Sequence, residues 1–185
     1  FDHHLAGEEI AGIDMHIDTS KNVCTALIVN KYLAGDDSWA RTALYGDGLG
    51  HVIQEQDRDL AQLGELLNYN GYGETLDDLL FHPDELMQLC LESKTPQGFI
   101  KTEAFNMLRD GFTSDIANTE SIKMENGMYM LPNEPWARRV VGVFAHRLNS
   151  QSKGPHVIAI DKGATLQISV RGEQGIGELC AKFGG

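Results

Sequence analysis

Three adjacent residues near the start of the chain, Asp2, His3 and His4, carry side chains that can bind a metal ion and transfer a proton. Neutral imidazole is a good ligand for Mn²⁺, Fe²⁺ or Zn²⁺, and a neighbouring carboxylate can orient an imidazole ring through a hydrogen bond. A second carboxylate, Asp47, stands between two glycines, which let the backbone turn sharply and leave the side chain directed into a site. The triplet therefore offers a metal ligand and a proton carrier, and Asp47 offers a carboxylate that can point into a site.

Helices must hold these residues in place. The segment 23–29 is almost entirely apolar and predicts a buried helix, capped by Thr19 or Ser20 and ended by Gly35. A second helix starts at Asp37 or Ser38 and breaks at the Gly-Asp-Gly segment. A third is predicted from Ile53 to about Leu67, with apolar residues on one face: Ile53, Leu60, Leu63 and Leu67.

The last third of the chain predicts an α/β unit that begins near residue 125. A strand, "GMYML", precedes a helix, "NEPWARRVVGVFAHRLNSQ", that has apolar residues on one side: Trp136, Val140, Phe144 and Leu148. Two strands, "HVIAID" and "ATLQISVR", follow. The alternation along the second strand predicts one polar face, made by Thr165, Gln167, Ser169 and Arg171.

The charge of the chain restricts its partners. The net charge is −12, and residues 1–100 carry 5 Lys and Arg against 18 Asp and Glu, a charge of −13. A protein that holds long nucleic acid through general electrostatics needs a basic surface. We therefore expect no tight binding of long nucleic acid, and any phosphate handled by this half requires metal cations.

The cysteines and the hydropathy predict a cytoplasmic protein without a membrane span. No stretch approaches the roughly 18 consecutive apolar residues of a membrane helix, and no signal leader is visible. Cys24, Cys90 and Cys180 lie far apart without a C-x-x-C spacing, which favours buried thiols in a reducing compartment over a disulfide framework or a zinc knuckle.

These motifs resemble the DHH phosphoesterase superfamily, which is named for the Asp-His-His triplet. An apolar residue precedes the triplet, the apolar helix "NVCTALIVNKYL" follows it, and Asp47 comes 44 positions after His3, where the family has its fourth motif aspartate. The segments "LQISVRG" and "GIGELCAKFGG" resemble the DHH-associated substrate-binding domain, the second of them the helix that runs into its glycine-rich turn.

The resemblance implies an α/β fold in three parts. Residues 1–80 would be the C-terminal part of a parallel-sheet catalytic domain, 81–124 a helical linker, and 125–185 part of a smaller α/β substrate-binding domain with a mixed sheet. The family's first two motifs precede the triplet and are not in this sequence. The expectation is therefore a piece of a longer protein, cut at both ends and inactive by itself.

The resemblance also implies a role for each site residue. His3 and Asp47 would bind the metal, and Asp2 would orient the imidazoles. His4 would contact the phosphate or the leaving oxygen. Ser169 and Arg171 would bind the substrate. The cofactors would be two divalent cations, Mn²⁺ before Mg²⁺, Co²⁺ or Fe²⁺. The reaction would be hydrolysis of a phosphate ester of a small nucleotide or short oligonucleotide, and a homodimer is compatible with the sequence.

Other interpretations stay open. The triplet can be an exposed terminus, Asp47 only a turn-former, and Arg171 a solvated charge. The protein can be a DHH-type binding or regulatory module that has lost catalysis. It can also be an unrelated metal-binding protein that uses His3, His4 and His16. Three arginines on one helix, Arg138, Arg139 and Arg147, can form a basic rim or be ordinary surface charges.

Overall fold

The computed structural model describes residues 1–4, 11–49, 54–152, 154–172 and 175–183. In this part of the chain the protein is an α/β protein with eight α-helices and one four-stranded mixed sheet, which confirms the predicted fold class. None of the described helices is long and apolar enough to cross a lipid bilayer. The DHH domain architecture stays a prediction.

The chain divides into two compact units. The first comprises Phe1–Tyr69 and Phe81–Arg109, and the second comprises Asn70–Leu80 and Asp110–Gly185. The division into a catalytic part, a linker and a substrate-binding part stays a prediction. The predicted glycine-rich turn at Gly184 and Gly185 lies outside the described residues.

The described helices and strands have the following bounds. The helices are α1 (Thr25–Leu33), α2 (Ser38–Gly46), α3 (Arg58–Asn70), α4 (Pro83–Ser93), α5 (Pro96–Phe99), α6 (Glu103–Asn118), α7 (Pro135–Gln151) and α8 (Ile176–Ala181). The strands are β1 (Met124–Glu125), β2 (Met128–Leu131), β3 (His156–Asp161) and β4 (Leu166–Arg171).

Helix α1 begins later than the sequence predicted. Thr19 and Ser20 do not cap it, because the Asp18 carboxylate accepts a hydrogen bond from the backbone N–H of Ser20 and holds this segment in a turn. None of the nine residues of α1 is buried, so the expectation of a buried helix was wrong. Cys24, which directly precedes the helix, is buried.

Helices α2 and α3 approach each other through two glycines. A β carbon at Gly64 would lie 2.2 Å from the carbonyl oxygen of Thr42 and 2.7 Å from the backbone nitrogen of Gly46. No side chain fits at that distance. Leu60 and Leu63 are buried as predicted, whereas the predicted start of α3 at Ile53 lies outside the described residues.

The second unit contains the sheet, with strand order β1-β2-β3-β4. Strands β2 and β3 are parallel, and the other two pairs are antiparallel. Helix α7 connects the parallel pair and packs on the sheet, as helices that link parallel strands do. The hydrophobic core cluster between α7 and the sheet consists of Leu131, Ala137, Val141, Phe144, Ala145, Ile158 and Ile160.

The alternation predicted for β4 is present. Ser169 pairs with Ile158, which belongs to the core cluster, so the polar residues share the face on which α7 packs. The apolar residues of β4 lie on the opposite face, where Leu166 and Ile168 are 49% and 56% exposed.

Arg138 and Arg139 of α7 are paired rather than forming a basic rim, whereas the guanidinium of Arg147 lies over the ring of Phe112, 5.9 Å from its centroid. Arg138 donates from Nε and Nη2 to the Asp78 carboxylate, at 2.8 and 2.5 Å, and these side chains are only 14% and 4% exposed. Arg139 Nη2 lies 2.7 Å from the Asp115 carboxylate. Both pairs are buried structural contacts within the second unit.

Candidate metal centre

A short parallel β-bridge fixes the backbone of Asp2. Asp2 pairs with Ile17, its N–H donates to the carbonyl of His16 at 3.0 Å, and its carbonyl accepts from the N–H of Asp18 at 3.1 Å. This bridge anchors the start of the triplet in the first unit.

The carboxylate of Asp2 organises the two histidines that follow it. Its Oδ1 atom accepts from the backbone N–H of His3 at 2.7 Å and of His4 at 3.2 Å, and lies 2.8 Å from Nδ1 of the His4 ring. The hydrogen bonds from His4 are the main reason that the pKa of Asp2 falls to about 2. Asp2 is therefore a carboxylate at neutral pH, and the two imidazole rings lie 4.1 Å apart between centroids.

The ring of His3 is held by Thr25 at the start of α1. Nδ1 of His3 lies 2.9 Å from Thr25 Oγ1, and it accepts the backbone N–H of Thr25 at 3.1 Å. That N–H belongs to the first turn of the helix, where no carbonyl of the helix can accept it. His3 therefore caps α1.

Asp47 is fixed by the end of α2. Gly48 has φ of +69°, its N–H donates to the carbonyl of Tyr45 at 3.0 Å, and the N–H of Leu49 donates to the carbonyl of Leu44 at 3.2 Å. These two bonds and the left-handed glycine form a Schellman motif, which ends the helix. The predicted Gly-Asp-Gly break is thus a helix C-terminus, with Asp47 at the capping position.

A buried carboxylate anchors the same end of α2. Asp57 accepts from the hydroxyl of Tyr45 at 2.8 Å and from Nη1 of Arg41 at 2.6 Å. Removal from water is the main reason that the pKa of Tyr45 is raised, and the hydrogen bond to Asp57 adds to it. Tyr45 lies two residues before Asp47, so this contact holds the backbone that presents Asp47.

The structure brings His3 and Asp47 together. Nε2 of His3 lies 3.9 Å from Oδ2 of Asp47, and their side chains are 20% and 46% exposed. In the described part of the chain, one group of three possible ligands has its donor atoms within 4.8 Å of one another, and it consists of Asp2, His3 and His4. His3 belongs both to this group and to the contact with Asp47.

The contact between His3 and Asp47 fits one divalent cation. An imidazole and a carboxylate suit Mn²⁺, Fe²⁺ or Zn²⁺. Each ligand bond to such an ion is roughly 2.0–2.2 Å long, so a single ion can reach both atoms of a pair that is 3.9 Å apart. Asp47 is not part of the group formed by Asp2, His3 and His4 and contacts it through His3.

His16 does not belong to this group. Its Nε2 atom lies 3.1 Å from the Asp14 carboxylate, and its ring stacks on Phe1 at 4.6 Å between centroids and meets Tyr32 at 5.0 Å. Among the described residues, His3 and His4 therefore form their group of ligands with Asp2 and not with His16.

The predicted substrate-binding residues, Ser169 and Arg171, lie on β4 of the second unit. Ser169 is half-buried, and Arg171 is exposed with its Nη1 donating to the carbonyl of Val170 at 3.1 Å. Their role in binding stays a prediction.

Sequence reasoning missed Thr25, Tyr45, Asp57 and Gly64, which hold the candidate ligands. Thr25 and Tyr45 stand beside positions that the sequence did single out, but their partners are distant along the chain. The sequence around Asp57 and Gly64 does not indicate their roles, because each residue acts through a contact with α2.

Comparisons of this chain with protein-family models, with curated proteins and with solved structures found no match, so the case for a function rests on the residues described here.

Proposed function

We propose that this chain supplies the metal-binding part of a DHH-type phosphoesterase, which hydrolyses a phosphate ester of a small nucleotide or short oligonucleotide. The observation that carries the proposal is the approach of His3 to Asp47, 3.9 Å apart although the residues are 44 positions apart.

His3 and Asp47 would hold a divalent cation, with Mn²⁺ the first candidate and Mg²⁺, Co²⁺ or Fe²⁺ the alternatives. Such a cation polarises a phosphoryl oxygen and lowers the pKa of a bound water molecule. The exposed ring of His4, which Asp2 holds, is suited to contact the phosphate or the leaving oxygen. The second cation implied by the family resemblance would need donors other than His3 and Asp47.

The charge distribution supports a small phosphorylated substrate. The first hundred residues carry a charge of −13, so a phosphate group needs the cation to approach this region. The same charge opposes tight binding of long nucleic acid. Arg171 and Ser169 are the proposed phosphate-binding residues, because a guanidinium binds phosphate oxygens in a bidentate manner.

A second candidate function is a nucleotide-binding module without catalysis. The observation that favours it is the backbone N–H of Thr25 directed at Nδ1 of His3, an arrangement that suits an imidazole without a metal ligand. In that case a nucleotide would bind in the absence of cations.

Titration calorimetry with Mn²⁺ and adenosine monophosphate separates the two functions. The phosphoesterase proposal predicts Mn²⁺ binding that Asp47→Asn weakens at least about tenfold, and nucleotide binding that requires Mn²⁺. Asp14→Asn is the matched control, because Asp14 contacts His16 outside the ligand group. Equal Mn²⁺ affinity of the wild type and Asp47→Asn would contradict the metal site, whereas metal-independent nucleotide binding would favour the binding module.

Hydrolysis assays test the number of cations. A two-cation reaction needs metal ions about 3.5–4 Å apart, and the contact between His3 and Asp47 suits one. We therefore expect these 185 residues to bind Mn²⁺ weakly and to show no turnover with short oligonucleotides. Robust hydrolysis by the chain alone would contradict this account of the site.

A further inference from the structure

We propose that Thr25 is a positioning residue for the metal site, because its hydroxyl allows His3 to exchange the nitrogen that carries the ring proton. The inference rests on the proposed function and concerns the same site. Thr25 does not contact the proposed cation ligands other than His3 in any hydrogen bond described here, so it would act only through His3.

The geometry fixes the proton in the metal-free ring. A backbone N–H can only donate, so Nδ1 of His3 must accept the bond from Thr25 at 3.1 Å. A neutral imidazole has one N–H, which then resides on Nε2. Nε2 is the nitrogen that faces Asp47.

A cation at Nε2 requires the other tautomer. The cation takes the lone pair of Nε2, so the single proton of the neutral ring must reside on Nδ1. The backbone N–H of Thr25 cannot accept that proton. The hydroxyl of Thr25, 2.9 Å from Nδ1, can accept it, since a hydroxyl both donates and accepts.

The exchange also links the cation to helix α1. When Nδ1 carries the proton, the backbone N–H of Thr25 loses the acceptor that caps the helix. Cys24, which directly precedes α1, provides no side-chain cap in its place. Cation binding and capping of α1 therefore compete for Nδ1.

Two substitutions isolate the hydroxyl. Thr25→Val keeps the branched shape and the backbone N–H but removes Oγ1, and Thr25→Ser keeps the hydroxyl. Thr42→Val is the control for a structural hydroxyl, because Thr42 Oγ1 donates to the carbonyl of Ser38 within α2 and does not contact His3. Thermal unfolding without metal checks that each variant is folded.

The test combines Mn²⁺ affinity, measured by electron paramagnetic resonance, with ¹⁵N NMR of the His3 ring. We expect Thr25→Val to weaken Mn²⁺ binding about 10–100-fold, with Thr25→Ser and Thr42→Val close to the wild type. The NMR spectrum should show the proton of His3 on Nε2 in the metal-free chain and on Nδ1 with Zn²⁺ bound.

The outcomes distinguish this inference from the proposed function. Mn²⁺ binding that is equal in Thr25→Val and the wild type overturns the role of Thr25 and leaves the metal site standing. Weak Mn²⁺ binding by Thr25→Ser also overturns the role of Thr25. The same holds if the His3 ring carries its proton on Nδ1 both with and without Zn²⁺. A wild-type chain that binds no Mn²⁺ overturns the metal site and the role of Thr25 together.

Discussion

Nε2 of His3 lies 3.9 Å from Oδ2 of Asp47, and each residue is delivered to this position by a separate piece of backbone. His3 follows the β-bridge of Asp2 with Ile17 and caps α1, whereas Asp47 closes α2 in a Schellman motif. Two independent anchors therefore define the candidate site, and each of them can be tested by substitution.

The glycine contact between α2 and α3 predicts opposite effects at two helical glycines. Gly64→Ala should destabilise the protein by about 3 kcal/mol, because the new methyl group meets the backbone of Thr42 at 2.2 Å. Gly142→Ala in α7 should stabilise it by about 0.5–1 kcal/mol, since a β carbon there meets nothing within 4 Å. Urea unfolding of both variants checks this, and a stable Gly64→Ala protein would show that the contact is loose.

The hydroxyl of Tyr45 should contribute to the stability of the first unit. Tyr45→Phe removes a 2.8 Å hydrogen bond to the buried carboxylate of Asp57, and we expect a loss of about 1.5–3 kcal/mol. Tyr32→Phe is the control, because Tyr32 is exposed and its described contacts are made by the ring. Equal unfolding midpoints for Tyr45→Phe and Tyr32→Phe would be evidence against a stabilising contact between Tyr45 and Asp57.

Local signals in the sequence predicted the elements but not their contacts. The period of apolar residues in α7 and the alternation in β4 are local, so the α/β fold class followed from them, whereas strand β1 was not predicted. The start of α1 was misplaced because Asp18 competes locally for the backbone of Ser20. The burial of α1 was overestimated because an apolar sequence does not reveal whether another element covers it.

The sequence named the candidate ligands because carboxylates and imidazoles in these patterns have a specific chemistry, and their role as ligands stays a prediction. Their supports were not predictable. Thr25 contacts His3, 22 positions away, and Asp57 contacts Tyr45, 12 positions away. These residues come into contact only when the helices pack. The pairing of Arg138 with Asp78 joins residues 60 positions apart and could not be predicted from the sequence for the same reason.

The buried pair of Arg138 and Asp78 should make the second unit sensitive to acid. Hydrogen bonds from Arg138 are the main reason that the pKa of Asp78 is lowered in the folded state. A lowered folded-state pKa means that the carboxylate contributes stability above the ordinary Asp pKa of about 3.9. This contribution is lost as the pH falls from about 4 towards the folded-state pKa.

Substitution of Asp78 measures that contribution. Asp78→Ala leaves Arg138 buried without this carboxylate, so we expect a loss of about 3–5 kcal/mol at neutral pH and a weaker dependence of stability on pH below 4. Asp84→Asn is the matched control, since the Asp84 side chain is almost fully exposed. Unfolding free energies of the three proteins between pH 7 and pH 2 provide the comparison, and parallel pH curves for wild type and Asp78→Ala would refute the assignment.

Arg171 should affect the substrate and not the cation. We expect Arg171→Ala to weaken binding of adenosine monophosphate in the presence of Mn²⁺ about tenfold or more, because charge-assisted bidentate bonds to phosphate are strong, and to leave Mn²⁺ affinity unchanged. Lys182→Ala, another exposed cation of the second unit, is the control. Calorimetry separates the two affinities, and unchanged nucleotide binding in Arg171→Ala would remove Arg171 from the proposed site.

The most direct test of the metal centre is anomalous X-ray diffraction from crystals of this chain soaked in Mn²⁺. We expect an anomalous peak within ligand-bond distance of both Nε2 of His3 and Oδ2 of Asp47, and no such peak in crystals of Asp47→Asn. A Mn²⁺ peak bound elsewhere, with the His3 and Asp47 side chains turned away from each other, would contradict it.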